Sequence, residues 1–340
     1  MKIVLPLLCL GQGMSLLLAT EYSVLTIDED RQPIKEADVE AVFSRINDPR
    51  TSSLRTFEGK TSAAGVFRCE AGEAMCLVRL RARKQGYFEA DADHRHGLGV
   101  MPPVREQTIT LPRVTLGVGL CYKDVLLSAE AGTLAARNWI GFDFALGEAL
   151  PPWGKGKTAD IRIWNEGDQV GWTQEAETIE MFRKDPELAR MPEAKFAELY
   201  GWFKGVTRLR CEEPGAGIRR SPAFWPYSSL KMPPEAPTED YAMSMELPYS
   251  TLPYPGAQDD DVGFYLRART KVDLNGKVVS AHYAKIQGPI RSGFGWVAFR
   301  YYYNPVTDDR RLVMDMEKNL LKPPAGTPER ELARYRPYER

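Results

Sequence analysis

The sequence predicts a mainly β protein, with an antiparallel β-sandwich over residues 21–113 and a larger β-rich domain over residues 114–321. Three observations predict this fold class. Short segments alternate apolar and polar side chains, which is the period of a half-buried strand. Turn residues separate these segments at close spacing, as they do in two-sheet folds. The length of 340 residues exceeds that of a typical domain and favours two.

Residues 1–19 predict a secretory signal. Lys2 precedes an apolar run from Ile3 to Ala19, and polar chain follows. A charged start, a short apolar segment and a small residue near its end are the features of a cleaved export signal. An uncleaved anchor is the alternative, but a run this short, interrupted by Pro6, fits a membrane span poorly. We predict cleavage after Ala19 and a periplasmic or extracellular protein that has no membrane span once the signal is removed.

Five stretches predict the strands of the first domain. Residues 22–28 alternate cleanly, and the turn DEDRQP follows them. Further strand-like stretches span residues 34–46, 56–69, 75–90 and 107–114, and residues 56–69 hold a glycine-bearing turn between two strands. No helical period interrupts this series, which favours an antiparallel sandwich.

Ten positions of this domain follow a recognisable order, namely an Asp-rich turn, P-I-x-x-A-x-V, T-x-x-x-G-x-F, G-Y and a final leucine. They are Pro33, Ile34, Ala37, Val39, Thr61, Gly65, Phe67, Gly86, Tyr87 and Leu111. This order resembles the carboxypeptidase-regulatory-like family over residues 21–113, although the excursion at residues 41–59 is longer than usual. The resemblance implies a transthyretin-like, Ig-like β-sandwich. It implies little about function, since family members are mostly non-catalytic appendages of secreted enzymes and surface proteins.

Four cysteines remain after the predicted cleavage, and an exported compartment permits disulfides. Cys69 and Cys76 flank a loop that could join neighbouring strands, so we predict a disulfide between them. The alternative is four free thiols, which behave as small apolar side chains. No cysteine has the spacing of a zinc site, and the sequence predicts no bound metal ion.

The second domain is predicted to be strand-rich, with one clear helix near residues 192–204. Pro192 suits the first position of a helix, and Phe196 and Phe203 belong to a series of apolar residues at helical spacing. Blocks of this domain are similar to segments of uncharacterised exported bacterial proteins, a similarity that implies no activity. Residues 322–340 are rich in proline and charge and are predicted to be a mobile tail.

A β-hairpin is the best-defined element of the second domain. Two alternating runs over residues 263–286 meet at Asn275-Gly276. This pair is typical of a two-residue turn in which both residues have a positive φ. Residues 295–304 alternate in the same way and predict a third adjacent strand.

Two short matches to the phosphate-binding P-loop are not nucleotide sites. GKT at residues 59–61 and GKGKT at residues 154–158 lack the glycine five residues earlier, where Leu54 and Pro151 stand. Strand-like residues follow each match, whereas a P-loop opens a helix. The formal net charge of −1 gives no electrostatic attraction for nucleic acid. The sequence therefore predicts no cofactor and no nucleic-acid partner.

The sequence holds no complete catalytic constellation. It has three histidines, His94, His96 and His282, and no Gly-x-Ser-x-Gly motif. The first two would face one side of a strand, as two metal ligands do, but an exposed polar loop is the preferred interpretation. Acidic residues outside the first domain supply the candidate carboxylates for a hydrolase, which are Asp240, Glu246, Asp259, Asp260, Asp261, Asp308 and Asp309.

Arg267, Arg269 and Lys271 are candidate ligand contacts, because they would form a basic stripe on one face of the hairpin. Such a stripe suits an anionic sugar or phosphate, although the polar face of any half-buried strand shows the same pattern. Trp225 and Tyr254, in proline-rich loops, are further candidates because aromatic rings can stack on a sugar. The other tryptophans that could supply such platforms are Trp153, Trp164, Trp172 and Trp296.

These observations predict a non-catalytic exported protein that acts by binding or by surface and envelope assembly, with an unknown protein or glycan as its partner. The alternative is a secreted hydrolase that processes polysaccharide or peptide. That alternative requires at least two of the candidate carboxylates to converge in a pocket of the second domain.

Overall fold

A computed structural model describes residues 20–45, 54–71, 75–93, 106–129, 137–172, 176–186, 188–191, 201–250, 262–293 and 295–337. These residues form a mainly β protein with two short α-helices, as the sequence predicts. The chain divides into two compact units, an N-terminal unit of residues 1–113 and a C-terminal unit of residues 114–340. The predicted signal, residues 1–19, lies outside the described residues. Among the helices that the structure describes, none is long and apolar enough to cross a membrane.

Seven strands build the N-terminal unit. They are β1 (Thr20–Ile27), β2 (Asp38–Arg45), β3 (Arg55–Lys60), β4 (Val66–Ala71), β5 (Met75–Arg83), β6 (Ala90–Asp93) and β7 (Glu106–Thr110). One sheet has the order β4-β1-β7 and the other has the order β3-β2-β5-β6. The pair β1 and β7 is parallel and the other pairs are antiparallel.

The two sheets of the N-terminal unit pack face to face as a sandwich. Alternation along each strand buries Val24 of one sheet and Leu80 of the other. The rings of Tyr22 and Phe43, one from each sheet, meet edge to face with centroids 5.2 Å apart. The predicted disulfide is absent from the structure, where Cys69 on β4 of one sheet and Cys76 on β5 of the other are free thiols.

Twelve strands and two α-helices are described in the C-terminal unit. The strands are β8 (Val118–Ser128), β9 (Ile140–Asp143), β10 (Glu148–Ala149), β11 (Ile161–Trp172), β12 (Gly201–Arg210), β13 (Gly217–Arg220), β14 (Ser244–Ser250), β15 (Phe264–Val272), β16 (Val278–Ile286), β17 (Arg291–Gly293), β18 (Trp296–Asn304) and β19 (Met314–Asn319). The helices are α1 (Ala176–Lys184) and α2 (Glu329–Leu332), and short 3-10 turns occupy Leu188–Arg190 and Ala333–Tyr335.

Two sheets enclose the core of the C-terminal unit. A five-stranded sheet has the order β10-β9-β11-β12-β14, and a seven-stranded sheet has the order β13-β15-β16-β18-β8-β19, with β17 paired to β18. Phe142 and Ile163 of the first sheet pack in one buried cluster with Leu266 and Phe299 of the second. A buried polar bridge also joins the sheets, because Thr207 Oγ1 donates to Ser292 Oγ at 2.7 Å.

The predicted hairpin forms, but its turn differs from the prediction. β15 and β16 pair across Asp273–Lys277, and Gly276, with φ 78°, is the only residue of this turn that has a positive φ. The Asp273 carboxylate accepts the backbone N–H groups of Asn275 and Lys277, each at 2.9 Å. These bonds favour a turn of three residues, Leu274 to Gly276, over the predicted two-residue turn. The third strand predicted at 295–304 is β18.

The predicted helix at 192–204 is wrong at its C-terminal end. Residues 192–200 lie outside the described residues, and Gly201 begins β12, which pairs with β11. Trp202 is partly exposed and Phe203 is buried, which is the alternation of a strand. An apolar residue at Phe203 suits either period, so the spacing alone did not decide between them.

The segment predicted to be a mobile tail makes defined contacts as far as residue 337. It contains α2, and Asn319 Nδ2 donates to the backbone oxygen of Tyr335 at 2.7 Å. Lys123 Nζ of β8 lies 5.1 Å from the centre of the Tyr335 ring. These contacts hold the segment against β8.

Candidate functional site

Gly59, Lys60 and Thr61, the first P-loop match, have structural contacts instead of a phosphate loop. Lys60 ends β3 and pairs with Asp38 at 2.7 Å. The buried hydroxyl of Thr61 donates to the Ile34 carbonyl at 2.6 Å. A shallow concavity of about 380 Å³ lies over this part of the sheet. Its charged lining residues are Asp38, Glu40, Glu58, Lys60, Arg81 and Arg83.

The predicted basic stripe on the hairpin is not present as a surface. The pairing of β15 with β16 shifts between Ala268 and Lys271, so the alternation of faces is interrupted there. Arg267 donates to the backbone oxygens of Gly215 and Thr238, at 2.7 and 2.9 Å. Arg269 is directed inward, and Lys271 remains exposed.

Arg269 completes a buried ionic cluster in the C-terminal unit. Its Nε and Nη2 donate to both oxygens of Asp160, at 2.8 and 3.0 Å, and Nη2 also donates to Asp143 at 2.8 Å. The two carboxylates are almost completely buried, while 27% of the Arg269 side chain is exposed. Burial raises the pKa of Asp160, and the hydrogen bonds from Arg269 oppose that rise.

Backbone N–H groups also donate to both carboxylates of this cluster. Asp160 accepts the N–H of Phe144 at 2.8 Å. Asp143 accepts the N–H groups of Ala145, Leu146, Lys157 and Thr158. The cluster is therefore a closed structural unit that ties loops beside the five-stranded sheet to β15 of the other sheet.

The candidate carboxylates of a hydrolase do not converge where they are described. Glu246 of β14 pairs with Arg208 at 2.7 Å, and Asp240 pairs with Arg219 at 3.3 Å. Arg311 pairs with Asp309 and lowers the pKa of that carboxyl to about 2. Each of these carboxylates has its own arginine, and Asp308 accepts the N–H of Ala281. Asp259, Asp260 and Asp261 lie outside the described residues.

The other residues predicted to contact a ligand or a metal ion do not form a site in the described part of the chain either. Trp225 is partly buried, and its backbone N–H donates to the Lys231 carbonyl at 2.8 Å. Tyr254, His94 and His96 lie outside the described residues. Within the described ranges, no group of three or more His, Cys, Asp or Glu side chains could hold a metal ion.

A different surface brings aromatic and charged side chains together. It lies on the outer face of β11, β12 and β14, and we call it the aromatic–arginine face. Its members are Trp139, Arg162, Trp164, Glu166, Arg208, Arg210, Glu212 and Glu246. Trp164 stands opposite Arg208 across the pair of β11 and β12. Trp139 precedes β9, and its ring centre lies 5.7 Å from that of Trp164. Both indoles are partly exposed.

Two groups of ion pairs fix this surface. Arg208 lies between Glu166 and Glu246, with N–O distances of 2.5 and 2.7 Å, and the Trp164 indole N–H donates to Glu166 at 3.2 Å. Beside this group, Glu212 receives one hydrogen bond from Arg162 and one from Arg210. The guanidinium of Arg210 also lies 5.3 Å from the centre of the Trp139 ring.

The charges of the arginines and glutamates of the aromatic–arginine face balance one another. The hydrogen bonds from Arg208 lower the pKa of Glu166, and those from Arg210 and Arg162 lower the pKa of Glu212. Glu166 and Glu212 therefore remain ionised at neutral pH, and the face holds three arginines and three glutamates. Partly exposed indoles beside such ion pairs can stack against a ligand and exchange hydrogen bonds with it.

The sequence patterns single out Trp164 as one of several tryptophans but do not mark Trp139 or the arginines around it. Trp139 lies in an irregular segment, so no strand period marks it. Its neighbourhood depends on pairings between β9, β11 and β12, which bring together residues far apart in the chain. The alternation that exposes Arg162, Trp164 and Glu166 on one face of β11 is the one local signal.

No family model matches this chain, and no curated protein sequence is similar enough to be a relative.

Proposed function

We propose that the chain is a non-catalytic exported protein that binds a partner through the aromatic–arginine face. One observation carries this proposal. Trp139 and Trp164 are partly exposed side by side, and ion pairs hold the groups around them in place. Large aromatic side chains at the surface, framed by arginine, are typical of binding sites because they contribute most of the contact energy at little cost in conformational entropy.

The ion pairing of the carboxylates favours binding over hydrolysis. A glycosidase requires two carboxyl groups that face one another across the scissile bond, one of them with a raised pKa. The described candidates are each held by a separate partner, and the pKa of Asp309 is lowered. The thiols of Cys121 and Cys211 are also unsuited to nucleophilic attack, since burial raises their pKa values to about 11 and about 12.

The N-terminal unit is proposed to be a carboxypeptidase-regulatory-like domain that accompanies the binding unit. The two-sheet sandwich and the residue order of its turns support this assignment.

Export is proposed from residues 1–19. This proposal is tested by expressing the full chain in a Gram-negative host and measuring the mass of the exported protein. A mature chain beginning at Thr20 is expected, and a chain retained uncleaved in the cytoplasm would contradict it.

Binding is tested with the exported chain and a panel of soluble polysaccharides in native gels, where a bound polymer slows migration. We expect at least one polymer to slow the protein, and Trp164→Ala to remove the effect. Trp225→Ala is the matched control, because Trp225 is a partly buried tryptophan of the segment between β13 and β14 and is not a member of the aromatic–arginine face. A second assay measures release of reducing ends from the same polymers. Turnover abolished by a single substitution would contradict a non-catalytic role.

A further inference from the structure

We infer that the aromatic–arginine face binds a neutral glycan, an inference that rests on the proposed binding function and names its ligand class. The first step concerns charge. Arg208 is committed to Glu166 and Glu246, and Arg162 and Arg210 share Glu212. An anionic ligand would meet arginines whose charge is already balanced by a glutamate in a short, charge-assisted hydrogen bond.

The second step concerns the hydrogen-bonding groups left at the surface. The side chain of Glu246 is 66% exposed, and that of Arg210 is 48% exposed. A carboxylate has more lone pairs than one arginine uses, and a guanidinium has five N–H groups in a plane. The surface therefore offers acceptors and donors side by side without a net charge. Sugar hydroxyl groups, which both donate and accept, match such a surface.

The third step concerns the rings. The Trp164 indole is oriented by its own N–H bond to Glu166, and the Trp139 ring is covered on one side by Arg210. Partly exposed, pre-oriented rings lose little conformational entropy on binding. They suit a ligand with an apolar face and a hydroxylated edge, which a pyranose ring has. Because the rings lie on the outer face of a sheet, beside side chains of three neighbouring strands, the ligand class is a polymer that lies across it.

Native gels with neutral polymers (laminarin, xylan and mannan) and anionic polymers (alginate and polygalacturonate) test the inference. At least one neutral polymer should slow the migration of the protein. Raising NaCl to about 1 M shortens the Debye length to about 3 Å and so screens charge attraction, but it should change the binding of a neutral polymer little. Trp164→Ala should weaken the binding about tenfold or more, and Trp164→Phe should restore part of it. Thermal unfolding of each variant verifies its fold.

Glu246→Gln separates neutral from anionic ligands, because it removes one charge from the face and keeps the shape of the side chain. Binding of a neutral glycan should weaken by about threefold, because an amide offers sugar hydroxyl groups fewer acceptor lone pairs than a carboxylate does, whereas binding of an anionic polymer should strengthen. One set of results would overturn the neutral glycan as the ligand but leave the proposed function intact. In that case only anionic polymers would bind, salt would suppress the binding, Trp164→Ala would abolish it and Glu246→Gln would strengthen it. Absence of binding to every polymer, or concentration-dependent self-association that Trp164→Ala abolishes, would overturn the glycan inference. The second of these results would identify another copy of the chain as the partner.

Discussion

Arg269 illustrates how one residue links the two sheets of the C-terminal unit. Its φ of 50° is a conformation that arginine rarely adopts, and it coincides with the shift in pairing between β15 and β16. The shift directs Arg269 inward, where strict alternation would have exposed it beside Lys271. The strained backbone is retained because the guanidinium meets two carboxylates that are otherwise buried without a counter-ion.

Replacing Arg269 by methionine should therefore destabilise the C-terminal unit strongly. Asp143 and Asp160 would remain buried without their counter-ion, a change that costs about 3–5 kcal/mol. Lys271→Met is the matched control, because Lys271 is an exposed cation on the same strand and should cost less than about 0.5 kcal/mol. Urea unfolding of both variants measures the difference. Equal and small effects would show that the cluster does not stabilise the fold.

The stability lost in Arg269→Met should depend on pH. Since the folded-state pKa of Asp160 is raised, its protonated form favours the folded protein. This contribution is fully present below the unfolded-state pKa of about 3.9 and is lost as the pH rises through the folded-state pKa. Without Arg269 the pKa of Asp160 rises further, so that window extends to higher pH.

Melting temperatures of wild type and Arg269→Met between about pH 8 and about pH 5 measure this dependence. We expect the difference between the two proteins to shrink towards the acidic end, as Asp160 takes up a proton in the variant. A difference that stays constant over this range would mean that Asp160 is not the group left uncompensated.

At the scale of elements, the same five-residue turn recurs three times. Asp28, Ser62 and Asp273 each begin one, and in each the side chain of the first residue accepts the N–H groups of the residues two and four positions later. The fourth residue has a positive φ in every copy, and the three are Arg31, Gly65 and Gly276. These turns rest on local hydrogen bonds and explain why the sequence reveals the hairpins so clearly.

Gly276→Val should destabilise the C-terminal unit by about 1–2 kcal/mol. A Cβ at this position would meet no atom within 4 Å, so the cost is that of the left-handed backbone alone. Val279→Ala, an exposed change on the adjoining strand, is the control and should have little effect. Thermal unfolding that left the Gly276→Val transition unmoved would contradict a positive φ at this residue.

Local patterns predicted the mainly β fold, the hairpin of β15 and β16 and the neighbouring strand β18, because alternation and turn residues act over a few positions. They failed where one residue suits two periods, as Phe203 does. They also could not locate the aromatic–arginine face, since Trp139 and Trp164 meet only through strand pairing. The inward turn of Arg269 depends on a bulge that no local pattern marks.

At the scale of the whole molecule, Cys69, Cys76, Cys121 and Cys211 are expected to remain free thiols in the exported form that we propose. Cys69 and Cys76 lie on strands of different sheets, and burial raises the pKa of Cys69 to about 11, which slows the thiolate chemistry that forms disulfides. Cys121 and Cys211 are buried, with 5% and 1% exposure. Iodoacetamide should therefore label the unfolded exported chain at all four cysteines without prior reduction, and should spare Cys121 and Cys211 in the folded chain.

Peptide mass mapping of the labelled protein identifies each site. Reducing the unfolded chain before labelling is the control, and it should add no further label. A cross-linked peptide containing Cys69 and Cys76 would contradict the free-thiol arrangement and restore the disulfide that their spacing in the sequence predicts. Such a bond needs the Cα atoms of Cys69 and Cys76 within about 7 Å of each other.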